Sequence, residues 1–228
     1  VTDWHVVHLG SRAVGGAALV IAEMTDVEPE GRITPGCAGM YLDGHVPAWR
    51  RVTDFVHEHS ASFIGVQLAH AGRKGSCDLP WRGGSALRDG AWTTFAPSAL
   101  PWAEGYPAPA AMTTGDLARV RTRFVEATRR ALEAGFDFIE LHGAHGYLLD
   151  EFLSPLTNRR ADAYGGSLEN RMRFPLEVFD AVRAAWPDEK PLGMRISATD
   201  WLPGGFTPEE AVAFARELKA RGCDVIDV

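Results

Sequence analysis

Cysteine is scarce: Cys37, Cys77 and Cys223 are the only three in 228 residues, and no two stand at zinc-site or redox-motif spacing. That excludes a disulfide framework and sets the expectation of reduced thiols in a cytoplasmic protein. No apolar run reaches the roughly 18 residues needed to span a bilayer. Basic residues are the minority, 23 Lys plus Arg against 30 Asp plus Glu, for a net charge of −7. Without a basic stripe, a nucleic-acid partner is not expected. No Gly-rich phosphate fingerprint follows any apolar run, which counts against an open dinucleotide-binding sheet. No signal peptide is visible. The chain starts at Val1 and stops at Val228 inside an apolar run, so a piece of a longer protein, truncated at both ends, is expected.

What is present is an alternation of short apolar runs and amphipathic stretches. Ala17–Ala22, Phe63–Leu68, Phe136–Leu141, Pro191–Ile196 and Asp224–Val228 read as buried strands. Their continuous apolarity fits parallel strands covered by helices. Thr113 and Asp116 open a helix that carries Leu117, Val120, Phe124, Ala127 and Ala131 on one stripe and closes at Ala134-Gly135. Thr207-Pro208-Glu209-Glu210 is a second capping box, and its helix ends at Arg221-Gly222. Further helices are expected over 2–15 and 167–186. Five strands and five helices are counted, beginning on a helix. Right-handed crossovers then give a parallel sheet, for which an incomplete (β/α)8 barrel is favoured over an open doubly wound sheet. Residues 1–228 form a single domain in this reading. Residues 72–111, with Trp81, Trp92, Trp102 and Tyr106, are too long for a simple connection and read as an ordered excursion over the barrel mouth.

In a barrel, reactive groups project from the carboxyl ends of the strands. Gln67, His70, Arg73 and Lys74 follow the second run, His142, His145 and Tyr147 the third, and Arg195, Ser197 and Asp200 the fourth. His142-Gly-Ala-His145-Gly-Tyr147 is the densest cluster of hydrogen-bonding groups. It supports two readings. Two imidazoles could ligate a metal with His70 or Glu140 completing the set. Alternatively, they are donors aimed at a carbonyl oxygen, with the phenol as proton donor. Arg195 needs an anionic partner, either an electron-rich ring edge or a carboxylate such as Glu140 or Asp200. Gln67 offers one acceptor and two donors to an amide-like ring edge.

Gln67-Leu-Ala-His70-Ala-Gly-Arg73-Lys74, Ala96-Pro97-Ser98, Leu141-His142-Gly-Ala-His145-Gly-Tyr147 through Pro155, Asn158-Arg-Arg, Tyr164 through Arg171 and Arg195 through Asp200 occur in one order. This set resembles the Old Yellow Enzyme family, nearest its NADPH dehydrogenase and xenobiotic reductase branch. The resemblance covers essentially the whole chain. It implies a (β/α)8 barrel carrying FMN, reduced by NADPH or NADH and reoxidised by a small enone, quinone or nitro compound. It implies that His142 and His145 hold the carbonyl oxygen, that Tyr147 supplies the proton and that no metal is used. Gln67 and Arg195 would meet the flavin pyrimidine edge, Met24 would lie against the flavin, and Lys74 would stand near the flavin or its ribityl chain. Asn170 and Arg171 would tie loops together. Oligomeric state stays open, a homo-oligomer included. The family's first strand and last two strands have no counterpart here, so these 228 residues are not expected to hold FMN tightly by themselves.

Overall fold

The computed structural model describes residues 1–228. Helix α1 (Asp3–Val14) leads into strand β1 (Leu19–Asp26), then α2 (Val46–His59) and β2 (Phe63–Ala69). Within the excursion lie two one-turn 3₁₀ helices and the two-residue strands β3 (Phe95–Ala96) and β4 (Ala110–Ala111). Helix α3 (Thr114–Glu133), β5 (Phe138–Gly143), the short α4 (Leu148–Leu153) and α5 (Leu168–Ala185) follow. Strand β6 (Leu192–Ile196), α6 (Pro208–Ala220) and β7 (Val225–Asp227) complete the chain. Helix α2 is additional to the expected ranges. Its buried side comprises Trp49, Val52, Thr53 and Val56, and it opens on His45, which makes no side-chain cap.

The helix ends have local causes. Thr113 Oγ1 accepts from the Asp116 N–H at 3.2 Å, and Asp116 Oδ2 accepts from the Thr113 N–H at 2.9 Å. Thr207 and Glu210 exchange the same pair of bonds at 3.3 Å each. Gly135 and Gly222 take the left-handed conformation that stops α3 and α6, at φ +89° and +84°. Arg171, 4% exposed, donates to the carbonyls of Leu153 and Gly166 and pairs with Glu210 at 2.5 Å. Asn170 caps Gly165 O at 3.0 Å. Arg171 therefore ties α4, α5 and α6 together, whereas Asn170 fastens the loop before α5 to the start of that helix.

The five long strands are all parallel and lie in the order β1-β2-β5-β6-β7, each beside its successor in the chain. An open doubly wound sheet would reverse this order at a switch point. Sequential order throughout is the order of a barrel wall. One face packs on the helices through Val20, Ala22, Ile64, Val66, Ile139, Leu141 and Met194, all buried. The alternate residues face inward. Among them, Leu19, Ile21, Phe63 and Val225 are exposed at the amino ends.

Above that layer the Phe138 ring fills the space left by two glycines. A Cβ on Gly65 would stand 2.7 Å from its Cδ1, and one on Gly193 2.7 Å from its Cζ. Both approaches are far inside van der Waals contact. Gly65→Ala and Gly193→Ala should each lower stability by roughly 1–3 kcal/mol through forced displacement of the ring, read from the denaturant midpoint. A midpoint equal to wild type in both would mean that Phe138 can move freely.

Candidate active site

The next inward layer is polar. Gln67 and Glu140 occupy registered positions on β2 and β5, and Gln67 Nε2 donates to Glu140 Oε2 at 2.5 Å. Arg195 and Asp227 are registered on β6 and β7, with Arg195 Nε 3.1 Å from Asp227 Oδ2. Of the carboxylates open to it, Arg195 takes Asp227, because register puts that residue directly across the ladder, whereas Asp200 accepts from Ser154 Oγ and the Phe206 N–H, both at 2.6 Å. Burial raises the Glu140 carboxyl above its ordinary range despite the Gln67 hydrogen bond.

One residue pair further along β5, His142 ends the same inward row, 3% exposed and registered with Arg195. The chain then turns through His145 and Gly146, both left-handed at φ +62° and +69°, before α4 begins after Tyr147. Glycine accepts that conformation freely, whereas histidine is strained in it. The turn folds the three side chains onto one another. The His142 ring centre lies 5.1 Å from those of both His145 and Tyr147, edge to face, and His145 and Tyr147 are 6.4 Å apart.

Their charge states follow from burial. Desolvation, helped by the neighbouring His145 and Arg195, pushes the His142 imidazole down to about 3, and burial with Arg195 and Lys74 nearby lowers His145 as well. His142 is therefore a neutral imidazole at pH 7, and its Nδ1 is buried without a hydrogen-bond partner. Burial raises the Tyr147 phenol, assisted by Cys37, Asp26 and Cys77, so it keeps its proton at neutral pH. Two imidazoles that can donate without carrying charge, beside a protonated phenol, suit a carbonyl oxygen on which negative charge grows.

His70 is not part of this group. Fully buried, it meets Glu28 at 3.0 Å through Nε2 and accepts from the Gly72 N–H through Nδ1. No group of three or more His, Cys, Asp or Glu is placed to hold a metal ion.

The other site residues are dispersed. Met24 lines a cavity of about 320 Å³ with Ile33, Cys37, Leu79 and Trp81. Lys74 donates to the His145 carbonyl at 2.7 Å and lies 4.5 Å from the Trp102 ring centre. Lys74, Trp102 and His145 share a cavity of about 450 Å³ with Asp150, Ser197 and Asp200, so the excursion reaches this strand end. All three cysteines are free.

Asp150 carries more than its place in the motif suggests. Its Oδ2 accepts from the Gly146 N–H at 2.6 Å and from the Ser197 hydroxyl at 3.3 Å. Its position, three residues after Tyr147, is that of a reach-back cap, but its bond goes one residue further, to Gly146, while the Tyr147 N–H donates to the Ala144 carbonyl.

Over residues 1–228 the sequence matches the family described as NADH:flavin oxidoreductase / NADH oxidase. The chain belongs to that family. An NADPH dehydrogenase of Geobacillus sp. (strain WCH70) is 47% identical over 228 residues, covering 100% of this chain and 62% of the relative. Among solved structures, a morphinone reductase superposes with a TM-score of 0.85 at 32% identity, covering 98% of this chain and 62% of the other. The Old Yellow Enzyme homologue of Zymomonas mobilis gives 0.83 at 30% identity, covering 99% and 63%. The five-stranded wall is thus part of a (β/α)8 barrel, and the chain spans about three fifths of the length of these relatives. No helix is long and apolar enough to cross a membrane.

Proposed function

We propose that this chain carries the substrate-polarising and proton-donating side of an FMN-dependent ene-reductase. The supporting observation is the clustering of two imidazoles and one phenol, ring centres 5.1 to 6.4 Å apart, at a barrel strand end. FMN, when bound, supplies the hydride chemistry. The residues fit such a group. Gln67 spends its amide nitrogen on Glu140, which leaves Oε1 to accept from a ring N–H, and Arg195 spends Nε on Asp227, which leaves its outer nitrogens to meet an electron-rich edge. Met24, at the end of β1, and Lys74 are the further candidates for flavin contact.

In this reading His142 and His145 donate to the carbonyl oxygen of an α,β-unsaturated substrate and draw electron density from its alkene. His142 is buried at the end of β5 as a neutral imidazole, so a donor on its ring is held in position before charge develops on the oxygen. Tyr147 gives its proton to the α carbon as the enolate collapses. Quinones and nitro compounds offer oxygens of the same polarity. The reductant is NADPH or NADH: the relatives include an NADPH dehydrogenase and a morphinone reductase solved with tetrahydroNAD, which favour a nicotinamide.

Anaerobic titration of the full-length, flavin-loaded protein tests both halves. NADPH should bleach the flavin band, and cyclohexenone added afterwards should restore it. Absence of bleaching would reject nicotinamide-dependent flavin reduction. Bleaching without recovery would leave a flavin reductase with no enone activity.

A further inference from the structure

We propose that Asp150, Ser197 and Lys74 form a clamp that holds the His145–Gly146 turn left-handed and thereby aims His145 and Tyr147, with Asp150 as the central positioning residue. The inference rests on the ene-reductase reading for what those two side chains are aimed at.

Three parts of the fold reach the same two residues. From α4, Asp150 Oδ2 accepts from the Gly146 N–H at 2.6 Å. From the end of β6, Ser197 Oγ accepts from the His145 N–H at 2.9 Å and donates its own proton toward Asp150 Oδ2 at 3.3 Å. From the excursion after β2, Lys74 Nζ donates to the His145 carbonyl at 2.7 Å. The N–H and C=O of His145 and the N–H of Gly146 are therefore all held from outside their own turn.

A left-handed histidine is strained and persists only where its surroundings over-determine it. An ordinary helix cap would explain Asp150 alone. It would not bring a hydroxyl from a neighbouring strand and an ammonium from a distant loop onto the same peptide units. The consequence is directional. His145 leaves the backbone from the strained residue itself, and Tyr147 follows Gly146 directly, so a change in this turn swings both rings relative to His142, which is fixed on β5.

The decisive measurement compares two oxidants of the reduced flavin in Asp150→Ala, Asp150→Asn and Ser197→Ala. Dioxygen needs no carbonyl donors, whereas cyclohexenone needs them aligned. Asp150→Ala should slow reoxidation by cyclohexenone by about 10²-fold, the cost of an ångström-scale misplacement, and leave reoxidation by dioxygen unchanged. Asp150→Asn keeps an acceptor for Gly146 and should recover most of the rate. Ser197→Ala should show a smaller loss in the same direction, and it decides the matter if Asp150→Ala does not fold. Equal losses with both oxidants, or no loss with either alanine variant, would overturn the clamp. Crystal structures of the two alanine variants give a reading independent of enone activity. The proposal expects His145 to leave positive φ, and an unchanged turn in both would overturn it. Should the parent protein itself fail with cyclohexenone, the functional reading falls, and these structures still decide the clamp.

Discussion

Tyr147→Phe should slow reoxidation of the reduced flavin by cyclohexenone about 10²- to 10⁴-fold, the usual contribution of a positioned acid, while reduction by NADPH keeps its rate. The asymmetry follows from what each half-reaction needs. Hydride transfer from a nicotinamide to the flavin requires alignment but no proton from this phenol. Saturation of an enone requires a proton on the α carbon. In the proposed reading Tyr147 delivers it; the ring packs against His142 and burial holds the phenol protonated. Phenylalanine keeps the ring and its edge-to-face contacts and removes only the acidic hydrogen. A stopped-flow comparison of the two half-reactions separates the roles. Equal damage to both would make Tyr147 a packing residue. No damage to the enone step would move the acid elsewhere.

The His142–Tyr147 cluster was readable from the sequence because its parts are close along the chain and leave a single strand. The helices starting at Thr113 and Thr207 were readable for a similar reason, since their caps are written within four residues. Features that depend on register were not. Gln67 and Glu140 are 73 residues apart and meet only because β2 and β5 pair in parallel at that position. Arg195 finds Asp227 through the β6–β7 ladder, and neither Glu140 nor Asp200 could be discarded before that ladder was known. Strand β1 runs four residues past the expected Ala22, because the ladder resumes at Thr25 and Asp26 after an irregularity at Glu23 and Met24, although polar residues end the apolar run. Helix α2 has a readable stripe of Trp49, Val52 and Val56, but no side chain caps its start, so the usual opening signal is missing.

The pH dependence of stability should carry the signature of the acids beneath the active-site turn. Burial pushes the Asp150 carboxyl up to about 7, with the charge of Asp200 adding to it and the Gly146 N–H and Lys74 opposing. Burial likewise pushes Glu151 up to about 8, against its hydrogen bond from the Arg73 N–H at 2.9 Å and the positive charges of Arg73 and Lys74. Unfolded carboxyls ionise near pH ~4. From there upward the unfolded chain releases protons that Asp150 and Glu151 retain in the folded chain, with the raised Asp26 and Glu140 carboxyls acting in the same direction, so stability falls as pH rises until the native values are passed. His142 acts in the opposite sense. An unfolded imidazole protonates below about pH 6.5, whereas the buried ring resists until about 3, so acid also destabilises. The two trends compete below about pH 6.5 and only the carboxyls act above it. Unfolding free energy should therefore drop most steeply between about pH 6.5 and 8, by on the order of 3 kcal/mol. Glu151→Gln keeps an acceptor for Arg73 and removes the ionisation, so it should flatten that slope and exceed the parent protein in stability at the alkaline end. A flat or rising profile across this window, or a variant with the parental slope, would mean that Arg73 and Lys74 already hold Glu151 ionised in the fold. If the profile falls as expected, desolvation outweighs both cations, and the carboxyls behind the His145–Gly146 turn enter the folded state uncharged.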